Sequence, residues 1–113
     1  MVKYSDEEII SYYKEEDMSI NALVLNDNDT VATAVKPLKS GENIDVAAEN
    51  REISIKLRQP IPLGHKFALK DIERGERIIK YGETIGLATM AIRKGEHVHI
   101  HNVEGTRGRG DRP

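Results

Sequence analysis

The rhythm of apolar and polar positions changes once along the chain. In residues 5–16, SDEEIISYYKEE, a serine and three acids precede a short apolar face made of Ile9, Ile10, Tyr12 and Tyr13. A serine followed by acids suits an N-cap and a first helical turn, where free N–H groups seek an acceptor and a negative charge. The pattern predicts a helix of about three turns, which needs docking because so short a helix is marginal alone.

From Ile20 the texture becomes short β-rich runs separated by turn signals, and it stays so to about residue 103. NALVLNDND reads as a strand ending in a polar turn, TVATAV as the next short element, and ISIKLRQPIP as an alternating strand stopped by prolines. Three segments share one grammar: LKSGENIDV at 38–46, IERGERIIK at 72–80 and IRKGEHVHI at 92–100. Each places Gly-Glu after two polar residues and before an alternating strand, as a tight turn with its glycine at positive φ requires. The glycines are 34 and 20 residues apart, unlike the fixed period of a solenoid, so the segments are repeated hairpins of one unit. Residues 104–113, EGTRGRGDRP, hold three glycines, three arginines and no apolar side chain, and read as a flexible tail. The expected organisation is an acidic helical extension at 1–19, an all-β domain at 20–103 and a Gly/Arg tail at 104–113.

A chain of 113 residues with 38 % hydrophobic residues, one Phe and no Trp makes one domain with a thin aliphatic core. It is too small to wall off a deep pocket unaided. The absence of cysteine removes disulfides, thiolate metal sites and Cys nucleophiles. No signal peptide and no long apolar run is present, so a cytoplasmic protein is expected, without a membrane role. The net charge of −2 is uneven: residues 1–17 carry two basic and six acidic side chains, the rest fifteen and thirteen. No nucleic-acid footprint results, and the short TRGRGDR stretch has no aromatic stacking platform beside it.

The histidines carry the chemistry. In HVHIHN, alternation sets His97, His99 and His101 on one strand face and Val98 and Ile100 on the other, toward the core. Residues i and i+4 of a strand are about 13 Å apart, so at most two of the three can share an ion. No cysteine or suitably spaced acid completes a four-ligand site, and the metal assignment stays unknown. Imidazoles also bind carboxylates and hydroxyls and take protons near neutral pH, and a merely polar exposed face is the remaining alternative. In PLGHKFAL, Gly64 lets the backbone turn and Lys66 puts a cation next to His65, a pairing that can bind a carboxylate or an enolate-like oxyanion. An exposed hairpin histidine is the plainer reading. In KYGETIG, Gly82 and Gly86 flank Thr84 near Tyr81 and serve backbone geometry, since no helix start follows. There is no P-loop, dinucleotide fingerprint or serine elbow.

NDTVATAVKPLKSGE together with ISIKLRQPIPLGHKFALKDIERGERIIKYGETIGLATMAIRKGEHVHIHN resembles the SAF domain of the altronate and galactarate dehydratase family, from about Asn28 to Asn102. The resemblance implies an all-β, β-clip (SAF-type) fold, here with a short N-terminal helix. It implies a lyase that removes water from aldonates or aldarates to give 2-keto-3-deoxy acids, using a divalent metal, iron or manganese, in the partner subunit. Full-length family enzymes continue into a large catalytic portion, whereas this chain stops at Pro113. It therefore resembles a detached small subunit that acts with a large catalytic subunit, as in the sulfolactate sulfo-lyases; a non-catalytic binding module and a homo-oligomer are the other forms such a domain takes. Within that frame His65, His99 and His101 are the expected catalytic residues. Lys66, His97, Tyr81, Arg107 and Arg109 are expected to hold the sugar-acid substrate.

Overall fold

The computed structural model describes residues 4–16, 19–49 and 51–105. One helix, α1 (Asp6–Glu16), precedes nine strands: β1 (Ala22–Leu23), β2 (Val31–Ala34), β3 (Asn43–Ala47), β4 (Ile53–Lys56), β5 (Lys66–Ala68), β6 (Arg77–Lys80), β7 (Glu83–Ala88), β8 (His97–Val98) and β9 (Val103–Gly105). They form a six-stranded sheet in the order β4-β3-β1-β2-β5-β8 and a three-stranded sheet in the order β6-β7-β9. All pairings are antiparallel except β1 with β3. The mostly-β architecture with a short N-terminal helix agrees with the fold expected from the sequence.

Helix α1 begins with a reciprocal cap: Glu8 N–H donates to Ser5 Oγ at 3.1 Å and Ser5 N–H to Glu8 Oε1 at 2.9 Å. Its buried Ile10 packs with Leu23 and Val35, with Ile9 and Tyr13 at the margin. Burying a side chain of that size contributes about 2 kcal/mol, which offsets the poor intrinsic stability of an 11-residue helix. Tyr12, expected on the same apolar face, is exposed. A salt bridge of 2.6 Å from Lys80 Nζ to Asp6 Oδ2 ties the first turn of the helix to β6.

Strand β2 explains its own composition. All four of its residues, VATA, are buried, because Ala32 and Ala34 face one apolar cluster while Val31 faces another. A strand covered on both sides in so small a domain has room only for small side chains.

The three Gly-Glu segments are the same turn built three times. Gly41, Gly75 and Gly95 have φ of 86°, 89° and 88°. The glutamate after each reaches back to the backbone N–H three residues earlier: Lys39 N to Glu42 Oε1 at 2.5 Å, Glu73 N to Glu76 Oε1 at 2.7 Å and Arg93 N to Glu96 Oε1 at 2.6 Å. Each carboxylate so satisfies a donor that the turn leaves free. At Gly95 a side chain has no room either, since a Cβ there would lie 2.3 Å from the carbonyl oxygen of Lys56. Tyr81 and Gly82, with φ of 53° and 80°, form the two-residue link between β6 and β7.

Two expectations fail at the C-terminal end. Strand β8 stops at Val98, and residues 99–102 turn, so HVHIHN is not one continuous strand and Ile100 is 85 % exposed rather than in the core. The cause is Asn102, whose side chain accepts from His99 N–H at 2.9 Å and donates to the His97 carbonyl at 2.9 Å, closing the turn. The chain then re-enters the second sheet as β9, so Glu104 and Gly105 are paired with β7 and do not belong to a tail. Arg107 and Arg109 lie outside the described residues. No described helix is long and apolar enough to cross a membrane.

Candidate histidine site

The register of β5 against β8 assembles the site. Lys66 pairs with Val98 and Phe67 with His97; one more step of the same register sets His65 across from His99. On its other side His65 is held to β2, its carbonyl accepting from Ala34 N–H at 2.8 Å. Side chains directly opposite in an antiparallel pair share a face, so His65, Phe67, His97 and His99 all emerge on one side. Phe67 goes into the core and the three imidazoles stand at its edge.

The rings are stacked. His65 lies 4.0 Å from His99, centroid to centroid, and 5.0 Å from His97. His65 Nδ1 and His97 Nε2 are 2.8 Å apart and share a hydrogen bond, which requires one of the two nitrogens to be unprotonated. One ring nitrogen from each of His65, His97 and His99 falls within 4.8 Å of the others, and among the described residues no carboxylate belongs to this group. Burial holds the His97 imidazole down to about 4, with the neighbouring imidazoles and the Lys66 ammonium adding to the effect. His99 is shifted down for the same reasons, burial first. Both are therefore neutral near pH 7, able to accept a proton or to donate a lone pair.

The expectation that at most two of His97, His99 and His101 could share an ion agrees with the grouping, in which His97 and His99 take part and His101 does not. The third donor comes from His65 on a different strand, brought in by pairing between residues distant in sequence. His101 stays outside the group of three: it is exposed on the 99–102 turn, its ring tilted and 5.4 Å from that of His97.

The remaining expected site residues separate. Lys66 points to the opposite face from His65, the face shared by its partners Thr33 and Val98, and its half-buried ammonium is held below the usual lysine range by burial and by Lys80. Tyr81 is not a surface ligand; its hydroxyl is buried near the equally buried Thr33 hydroxyl, and burial pushes its pKa up to about 12 against a smaller opposing effect of Thr33.

His65 also occupies a position that the sequence reading missed. Ile61-Pro-Leu-Gly-His-Lys-Phe67 is a fourth copy of the turn: Gly64 has φ of 83°, and His65 N–H donates to the Pro62 carbonyl at 3.0 Å as each glutamate's N–H does to its own turn. His65 stands where the other three have glutamate. Proline at position 62 has no N–H, so the donor that Glu42, Glu76 and Glu96 each satisfy does not exist here. The side chain is thereby released from the backbone and is free to join His97 and His99. Aligning IPLGHKF with IERGERI and IRKGEHV would have shown this.

The cluster is open to solvent. Beside it a groove of about 860 Å³ runs between α1 and the 63–64 turn, lined by Asp6, Ile10, Lys14, Lys36, Leu63 and Gly64 among others.

Residues 20–106 match the family model described as the altronate/galactarate dehydratase SAF domain. The chain belongs to that family. It is 37 % identical over 90 residues to the (2R)-sulfolactate sulfo-lyase subunit alpha of Chromohalobacter salexigens, covering 77 % of this chain and 96 % of that subunit. It is 46 % identical over 74 residues to the altronate dehydratase of Escherichia coli, covering 66 % of this chain but 14 % of that enzyme. The galactarate dehydratase (L-threo-forming) of Escherichia coli is 37 % identical over 87 residues, again with 14 % of its length matched. SAF-family chains thus occur both as short polypeptides and as a small part of long enzymes.

Proposed function

We propose that this chain is the small subunit of a sugar-acid lyase, acting with a separate large catalytic subunit to remove water from an aldonate or aldarate and give a 2-keto-3-deoxy acid. The observation that carries the reading is the pairing of an open imidazole cluster with a domain that spans 96 % of a stand-alone alpha subunit and only 14 % of a complete altronate dehydratase. A site that one small domain leaves open is one that a second polypeptide can close.

The reaction breaks the C–H bond α to the carboxylate and the C–O bond to the β-hydroxyl; water leaves, and the enol product becomes the keto acid. In the complex, His97 and His99, held neutral, are placed to accept the α-proton or to pass one to the departing hydroxyl, and His65 orients His97 through their shared hydrogen bond. A divalent ion in the complex supplies charge stabilisation of the developing enediolate. Lys66, on the other face, serves the position of β5 rather than the substrate. Arg107 and Arg109 remain candidates for contacts to the acid or to the large subunit.

A second reading, elimination of sulfite from a sulfolactate, is favoured by the near-complete length match to the alpha subunit. The test is to recover the protein from its own cells under mild conditions, measure native mass, and assay the complex with altronate, galactarate and sulfolactate. Keto-acid formation by a complex with a larger chain supports the dehydratase. Sulfite release supports the second reading, and repeated recovery without a larger chain overturns both in favour of a binding module.

A further inference from the structure

We propose that His65, His97 and His99 form a divalent transition-metal site in this chain itself, with at least one coordination position open. The case begins with backbone rigidity. His97 N–H is fixed by Gln59 Oε1 at 2.8 Å. His99 N–H and the His97 carbonyl are both held by Asn102, which is 4 % exposed. His65 is carried by the Gly64 turn, at φ of 83°. Three anchored backbones thus hold three stacked rings together, while among the described residues no carboxylate joins their nitrogens.

The dimensions fit an ion after a small change. Ring nitrogens that lie within 4.8 Å of one another, with His65 Nδ1 and His97 Nε2 only 2.8 Å apart in their hydrogen bond, have to adjust to roughly 3.4 Å, the separation that bonds of about 2.0–2.1 Å impose around a tetrahedral centre. Rotation of the rings about χ2, a soft torsion, opens the stack and accomplishes this with the backbone unmoved. Imidazole donors suit ions of the iron, nickel and zinc type. The absence of a fourth protein donor from the group gives the open geometry of sites that bind water or substrate, rather than the closed geometry of sites that only hold a fold.

This site does not depend on the lyase reading, because it uses residues of one chain. The full chain, stripped with chelator, is titrated with Co2+ alone and followed by visible absorption and calorimetry. One Co2+ per chain is expected, with d–d bands of a four- or five-coordinate ion. His65→Ala, His97→Ala and His99→Ala should each weaken uptake by more than about tenfold, and His101→Ala by less than about threefold. To separate loss of ligands from loss of fold, wild-type imidazole 15N shifts are recorded as Zn2+ is added, and three rings should move together. Absence of stoichiometric uptake, retained uptake in the triple variant, or an equal loss on changing His101 overturns the proposal. Metal uptake by a chain that joins no larger subunit overturns the lyase reading alone; an active complex whose small subunit takes up no ion overturns this one alone.

Discussion

The four related turns make a quantitative forecast about which of their side chains hold the fold. Glu42, Glu76 and Glu96 each accept one backbone N–H through a carboxylate oxygen, a bond that contributes about 1 kcal/mol when partly exposed. Replacing any of them with alanine should lower the thermal midpoint by about 4 °C for a domain of this size. His65 sits at the equivalent place, but Pro62 offers no N–H, so whatever His65→Ala costs comes from its hydrogen bond to His97 and its stacked rings, not from the turn. The sharper form is a double-mutant cycle. Pro62→Ala restores the donor, and adding His65→Glu should return about 1 kcal/mol that His65→Glu alone does not provide. Urea unfolding followed by circular dichroism measures all of these. A cycle with no coupling would refute the idea that proline releases the histidine.

Four further outcomes follow from other parts of the molecule. Thr33 Oγ1 and the Tyr81 hydroxyl are buried with no partner of good geometry, only a weak interaction with each other, so Thr33→Val and Tyr81→Phe should each cost less than about 1 kcal/mol, and a larger loss in chemical denaturation would mean that the two hydroxyls form a full hydrogen bond. Gly41 and Gly95 share a positive φ, but only Gly95 has a carbonyl oxygen in the way. Gly41→Ala should therefore cost about 1–2 kcal/mol from backbone strain, and Gly95→Ala visibly more, with equal costs counting against the close approach. Asp6→Asn removes the charge opposite Lys80, whose side chain is 14 % exposed; amide exchange in α1 should speed up, and unchanged exchange would mean the ion pair does not anchor the helix. The Glu8 carboxyl is held below its ordinary value of 4.5, first by the Ser5 backbone N–H and then by the Ser5 side chain. A depressed acid stabilises the fold above its unfolded value and loses that contribution as pH falls through the folded one, so α1 helicity should decline below about pH 4.5 and do so less in Ser5→Ala.

Local physics was legible in the sequence, and pairing between distant segments was not. The capped start of α1 and the three Gly-Glu turns are written in adjacent residues, each needing only its own hydrogen bonds. The site was half visible: three histidines in alternation pointed to chemistry, but His65 joins His97 and His99 through a β5–β8 register that no local pattern encodes. Ile100 was misplaced because alternation presumes a continuous strand, whereas the Asn102 side chain substitutes for ladder bonds and turns the chain. Lys66 was misread for a related reason. Its neighbour in sequence is His65, but a strand sends neighbours to opposite faces.

The turn around Gly64 has a consequence for how such a protein acquires chemistry. Its backbone repeats that of three others in the same domain, so two differences at fixed geometry, proline at the third position before the histidine and imidazole in place of carboxylate, are enough to turn a backbone-capping side chain into one that joins a cluster. The same exchange is available at Gly41, Gly75 and Gly95. A scaffold with four equivalent sockets can gain or relocate a reactive group while every strand stays where it is, which makes the domain a natural host for altered specificity.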